Sequence, residues 1–493
     1  PAYFRTMGEA VRVPLGKALD QARMSRLHRR FWLLAGLGIL LDGFDFFIIG
    51  VASPLIQQDF GINAWQKGLV SSAAILGAMV GAAFLGPLGD KLGRARIFKY
   101  DLVMFVLFSV GCMLAPEIWS LIAFRFLLGI AIGLDYPIAA SYLAEVLPQR
   151  DRGKWLVSAF SLQAVGIMLG AAVGVVILLI MPDETSWRWM LGFGILPALF
   201  IIYLRRGVPE SPRWLAQNGR EAEAVEVTEQ LTEVPVEVTD KDRARVDQPS
   251  EGIQALFQPQ LFKRDMIRRT VFTSVPWFLM DIAVYGVGIF TPTLIAAFAF
   301  GGNMDQSNTT FIADDIISTE WTAMLDIFLV LGFLTAIFTV ERLGRVRLQS
   351  IGFLFMTFGM LILAITTMLQ GPDGEGSYLG LVFLGYAIFN FFQNAGPNAT
   401  TYALPAEVFP SDIRAAGHGF AAGSAKLGAA IGVFFFPILL DAWGKPPVLF
   451  MMAGFSVLAL VVTVALRIEP TGKSLDEISG RKAGGIAARP TPA

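Results

Sequence analysis

The chain runs in apolar blocks of about twenty residues separated by short polar stretches, the length a helix needs to cross a bilayer. The pattern predicts twelve spans: 31–52, 68–88, 97–116, 119–144, 155–180, 189–205, 269–297, 319–340, 348–369, 377–402, 415–440 and 447–467. One long hydrophilic insertion, 206–268, divides them into six plus six. The expected layout is an all-α membrane protein with two pseudo-symmetric six-helix bundles. A segment 1–30 precedes the first bundle, 31–205; the second, 269–467, is followed by a tail, 468–493. The start of the chain is polar and basic and the first apolar run is long enough to span, so no cleavable signal is expected.

Composition narrows the class. Of the 493 residues, 54% are hydrophobic and 16% charged, against about 25% charged in soluble domains. A net charge of −1 gives no basic footprint for nucleic acid. The one cysteine, Cys112, lies in an apolar run and is expected to pack. Positive charge sets the orientation. Arg26, Arg29 and Arg30 precede span 1; Lys91, Arg94, Arg96 and Lys99 follow span 2; Arg150, Arg152 and Lys154 follow span 4; Arg342, Arg345 and Arg347 follow span 8. The opposite side reads as acidic, with Asp183, Glu184, Asp314, Asp315, Asp373 and Glu375. Both termini are therefore expected in the cytoplasm, in a plasma or bacterial inner membrane.

The halves repeat each other. Gly86-x-x-x-Asp90-Lys-Leu-Gly93-Arg94 after span 2 is echoed by Glu341-Arg-Leu-Gly344-Arg345 after span 8. Ala144-Glu145-Val-Leu-Pro148 after span 4 is echoed by Ala406-Glu407-Val-Phe-Pro410 after span 10. Duplication in a polytopic chain points to a transporter with its site where the repeats meet. The tight, arginine-rich loops suit a gate built from Asp90, Arg94, Glu145, Arg152, Arg345, Glu407 and Arg414. The same ion pairs could equally serve only to hold the fold.

These motifs resemble the sugar-porter branch of the major facilitator superfamily over nearly the whole chain. Further pieces are Arg125 in Phe124-Arg-Phe-Leu-Leu-Gly129, Pro209-Glu-Ser-Pro-Arg-Trp-Leu215 and Gly472-Lys-Ser-Leu-Asp-Glu-Ile478. Within that branch the chain looks most like the proton-coupled phosphate symporters. Their span 4 signature, Gly-Gly-Asp-Tyr-Pro, is Gly133-Leu-Asp135-Tyr136-Pro137 here, with Leu134 in place of the second Gly. Span 7 keeps the family's Trp277, Asp281 and Tyr285 spacing, and span 10 its Gln393-Asn394-Ala-Gly-Pro-Asn398. The resemblance implies a transported anion, phosphate, moved with protons, and a functional monomer without a cofactor. A carrier of an organic acid or sugar is the alternative. For Asp45 and Arg125 it implies a proton-linked pair in which protonation of the acid releases the arginine.

Charges at membrane depth are expensive and usually face a cavity. Asp42 and Asp45, three apart, share a face of span 1. With Arg125 and Asp135 they form the expected proton-coupling set. Asp326, near the start of the predicted span 8, reads as a residue of the outer interface. Trp277, Asp281 and Tyr285 fall on one stripe of span 7, and Asn394 and Asn398 on one stripe of span 10. Together with Tyr136, Gln163 and Lys426 they are the expected substrate-binding set. Aromatic residues in such stripes can equally be packing. His28 reads as solvated or lipid-facing, and His418 as packed. With no metal-ligand cluster or nucleophile motif, an enzyme is not expected. A receptor on a transporter fold would predict long tails with interaction motifs, and the tails are short. Asn308-Thr-Thr310 matches a glycosylation acceptor on the outer side.

Overall fold

A computed structural model describes residues 12–82, 92–148, 152–243, 259–264, 266–299, 308–369, 378–410 and 413–471. Twelve long helical segments run through it. Span 1 is Arg26–Phe60, span 2 Ala64–Val80, span 3 Arg94–Met113 and span 4 Ile118–Val146. Span 5 joins Arg152–Phe160 to Leu162–Ile180, and span 6 joins Trp187–Phe193 to Ile195–Arg205. Span 7 is Ile267–Ile289, continued by Thr291–Ala299; span 8 is Asn308–Leu343 and span 9 Arg345–Leu369. Span 10 is Leu379–Ala395 with Pro397–Val408, span 11 Arg414–Trp443 and span 12 Lys445–Ala465. Ten of these are long and apolar enough to cross a membrane; Ala64–Val80 and Arg94–Met113 are the other two. Large apolar side chains stand exposed on spans 3, 6, 8 and 12, among them Leu107, Leu196, Phe338 and Val461. A bilayer accepts such a surface because helices satisfy their own backbone polar groups.

Local chemistry sets the turns. Ser25 and His28 form a capping box at the start of span 1. His28 is fully buried there, its Nδ1 accepting from the Ser25 amide at 3.2 Å, so the expected solvated position is corrected. Gly61 ends span 1 at φ 59°, and Asn63 with Gln66 caps span 2 two residues later. Such short connections make neighbouring spans antiparallel.

Within the halves, span 1 packs on span 5, span 2 on span 4, span 7 on span 11, and span 9 on spans 10 and 12. Between the halves, span 2 packs on span 11 and span 5 on span 8, which is the same contact seen from each repeat. On span 1, Gly50 lies so close to span 7 that a Cβ would overlap the Ile289 carbonyl. Cys112 is buried, as expected.

Two expectations change. Span 8 starts near residue 308, eleven residues before the predicted 319, so Asn308 opens a helix and Asp315 is a buried helical residue. The cause is that a polar first turn carries no hydropathy signal. The insertion after span 6 also has structure. Val13–Pro14 pairs in parallel with Val236–Glu237, and Leu15, Leu19, Trp214, Leu215, Val227 and Leu231 form a small separate core.

Candidate functional site

Between the halves lies a cavity lined by spans 1, 5, 7, 8 and 10. Span 5 brings Gln163, span 7 Asp281 and Tyr285, and span 10 Asn390, Gln393, Asn394, Asn398 and Tyr402. Span 1 adds Phe47, whose ring centroid is 5.7 Å from that of Tyr285. Span 8 adds Asp326, which corrects its expected place at the outer interface. The error followed from the late start assigned to span 8: counted from residue 308, Asp326 is five turns in.

Five of the expected residues, Gln163, Asp281, Tyr285, Asn394 and Asn398, therefore meet at one cavity. Lys426 reaches it through Tyr285: its Nζ donates to the phenol oxygen at 3.0 Å and stands 4.9 Å from the ring centroid. The same ammonium acts electrostatically on Asp281. Trp277 stands one layer back, packed edge-on against Tyr402 at 4.6 Å and against His418 at 6.1 Å. Its indole supports a lining residue instead of lining the cavity. The side chain of Tyr136 lies outside the described residues.

The amides of span 10 are pinned by span 8. Asn390 donates to the Leu325 carbonyl and Asn394 to the Leu329 carbonyl, each at 3.2 Å. Asn398 in turn donates to Asn394 Oδ1 at 2.5 Å. Each amide is thereby oriented, with part of its hydrogen-bonding capacity left toward the cavity. Span 10 breaks at Gly396, which lets these residues and Tyr402 face the same space.

The N-terminal half holds its charges differently. Asp45 and Arg125 pair at 3.3 Å, both almost fully buried. A second cluster centres on Arg205, the last residue of span 6. Its guanidinium lies 3.5 Å from Asp135 and 3.7 Å from Asp101, donates to the carbonyls of Phe98 and Leu34, and stacks 3.3 Å over the Phe98 ring. Two carboxyls thus share one guanidinium. Asp42 is buried within the field of Asp135, Asp101 and Arg205. Asp101 and Arg205 were not singled out from sequence. An arginine at a span's end reads as a flanking positive charge, and only the tertiary fold turns it inward.

At the arginine-rich end each half carries the same device. Arg94 contacts Glu145, and Ser211 donates to that carboxylate. Glu210 accepts the Ala95 amide at 3.0 Å, capping span 3. In the other half Arg345 contacts Glu407 at 3.1 Å and Glu341 at 2.7 Å. Glu469 accepts the amides of Arg345 and Val346 at 3.0 Å, capping span 9. These pairs lie within each half and not between halves. Asp90 lies outside the described residues, as do the side chains of Arg152 and Arg414.

Comparison with known proteins agrees with this architecture. The family described as "Sugar (and other) transporter" matches residues 31–480. A probable inorganic phosphate transporter 1-6 of Arabidopsis thaliana is 31% identical, covering 94% of this chain and 96% of its own. A probable inorganic phosphate transporter 1-4 of Oryza sativa subsp. indica is 30% identical, covering 94% of each. In fold the chain resembles the xylose transporter XylE of E. coli in a partially occluded inward-open conformation. The TM-score is 0.72 at 22% identity, over 91% of this chain and 100% of that one. The chain belongs to the sugar transporter family of the major facilitator superfamily, and is a multi-pass membrane transporter of a small molecule.

Proposed function

We propose that the protein is a proton-coupled symporter of inorganic phosphate working by alternating access. The observation that carries this reading is the charge arrangement at the cavity: one ammonium, Lys426, set on Tyr285 and acting on one carboxyl, Asp281. A monovalent oxyanion would take the ammonium as its counter-ion. Ionised, Asp281 would repel it strongly at this depth. Protonated, it would donate to it. Loading would thus require a proton, and losing that proton would expel the anion. The oriented amides of span 10 would supply further donors. The relatives named as inorganic phosphate transporters, about 30% identical over 94% of the chain, support the same substrate.

In the N-terminal half, Asp45 with Arg125 would carry the coupling switch, with Asp42 and Asp135 in the same coupling set and Arg205 holding Asp101 and Asp135. The arginine–glutamate devices would sit at the cytoplasmic end, where their re-pairing accompanies opening. The alternative is a proton-coupled carrier of an organic acid or a sugar. The four amides of span 10 and Gln163 would suit sugar hydroxyls as well, and the ammonium is what favours an anion.

The test is uptake into proteoliposomes with an acid exterior, comparing labelled phosphate, xylose and succinate. Saturable phosphate uptake, collapsed by a proton ionophore and not competed by the other two, is expected. Uptake of xylose or succinate in place of phosphate moves the protein to the alternative.

A further inference from the structure

Asp326 lies deep in span 8, is 6% exposed and faces the same cavity as Asp281. Among the described residues it has no ion-pair partner. The ionisable groups around it can be named. At the cavity are Asp281, Tyr285, Tyr402 and, through Tyr285, Lys426. Span 5 from Leu162 to Ile180 and the short helix Thr291–Ala299 carry none. Span 10 carries Tyr386, Tyr402 and Glu407, and Glu407 is held by Arg345. Span 9 carries Arg345 and Arg347 at its first turn. On span 8 itself Asp314, Asp315 and Glu320 lie toward one end, and Glu341 and Arg342 toward the other. Asp315 lies within the field of Lys67 of span 2, whose Nζ donates to Gln57 at 3.0 Å. Among the described residues the cavity thus has two carboxyls, with one ammonium reaching it through Tyr285.

Charge counting then separates the two carboxyls. Net charge at membrane depth is strongly unfavourable, so the occluded states must be close to neutral. In the empty carrier, Lys426, whose charge acts on Asp281, neutralises that carboxyl in its ionised form. Asp326 must then be protonated. In the carrier loaded with a monovalent anion, Lys426 balances the anion. Asp281 must then be protonated as well, and Asp326 stays so. One proton comes and goes with the substrate, on Asp281; the proton on Asp326 does not. A neutral carboxylic acid offers an O–H donor and a carbonyl acceptor.

We propose that Asp326 is a specificity-determining residue of this site, a carboxylic acid that stays protonated through the cycle and donates a hydrogen bond to the bound oxyanion. The oxyanion part rests on the phosphate reading; the protonation part does not.

The test uses the full chain in proteoliposomes with two readouts. The first is the infrared carboxylic-acid C=O band, assigned to Asp326 by its loss in Asp326→Asn. It is expected to persist, without substrate, from mildly acid to mildly alkaline pH. If no band is lost in Asp326→Asn, or if the band titrates away through neutrality, the proposal is overturned. The second is labelled phosphate binding together with the proton-to-phosphate flux ratio. Asp326→Asn keeps a weaker donor, so binding is expected to fall about threefold with the flux ratio unchanged. Asp326→Leu removes the donor, and binding is expected to fall about tenfold to a hundredfold. A lower flux ratio in Asp326→Asn would make Asp326 a coupling site and overturn the proposal, as would Asp326→Leu binding like wild type. A wild-type protein that takes up no phosphate defeats the phosphate reading and the oxyanion donor with it. The infrared band then still decides the protonation state.

Discussion

The two halves share a fold and handle buried charge in opposite ways. In the N-terminal half, carboxyls are wrapped around guanidinium groups: Asp45 on Arg125, and Asp101 and Asp135 on Arg205 with Asp42 within its field. In the C-terminal half, Asp281 and Asp326 face a cavity, and the nearest cation is an ammonium held by a phenol. A guanidinium offers five fixed donors and never loses its charge, so it can anchor acids permanently. An ammonium is a point charge that can be shared with an arriving anion. The first arrangement pins its carboxyls outside the cavity lining, and the second leaves them facing the cavity.

The comparison breaks most easily at its cations. Arg205→Ala leaves the buried carboxyls of Asp101 and Asp135 without their counter-ion, and a loss of about 3–5 kcal/mol is expected. Lys426→Ala should cost much less, because the cavity can hydrate Asp281. Thermal unfolding of the two variants in one detergent decides this; equal losses would erase the distinction between the halves.

Asp281, one of the two cavity carboxyls, sharpens it. Asp281→Ala is expected to weaken phosphate binding by about 1–3 kcal/mol, since a buried donor is lost. Asp281→Asn should keep binding, because its amide donates, yet lose the pH dependence of release. Binding isotherms at acid and neutral pH separate the two outcomes.

The arginine-rich end tests where the halves should agree. Glu210→Ala uncaps span 3 and Glu469→Ala uncaps span 9, each at about 1–2 kcal/mol. Losses of similar size, read from unfolding midpoints, fit a duplicated device. A large loss in one half alone would not.

The smallest effect lies in the turns at the opposite end. Between spans 5 and 6, Asp183 accepts the Thr185 amide and hydroxyl at 2.7 Å, and these bonds hold its carboxyl below the usual aspartate range. Between spans 11 and 12 the chain turns on Gly444 at φ 75° instead. The contribution of Asp183 is present above the ordinary aspartate value of about 3.9 and is lost as pH falls through its lowered value. Asp183→Ala should therefore slightly flatten the acid limb of stability against pH, an effect Gly444 cannot produce.

Much of this was legible in the sequence. Apolar run length found twelve spans, because a bilayer imposes a minimum on each. Spacing put Asp281 and Tyr285 on one stripe, and the structure keeps them there. Asp45 with Arg125 came from resemblance, and their contact follows from the packing of spans 1 and 4. What escaped were features that hydropathy cannot carry. The polar first turns of span 8 hid the depth of Asp326. Arg205 ends a span, where the sequence carries no sign of burial, and spans 1, 3 and 4 close around it. Glu210 and Glu469 became counterparts only once both were seen capping the span after a left-handed glycine, Gly93 or Gly344.

The central claim is that the proposed Asp45–Arg125 switch of the N-terminal half is separable from substrate binding, with its own proton on Asp281, in the C-terminal half. Asp45→Asn in proteoliposomes tests it most directly, with phosphate counterflow and proton-driven accumulation followed in the same preparation. Counterflow near the wild-type rate with accumulation abolished is the predicted result. Accumulation equal to wild type, or loss of both activities together, would contradict it.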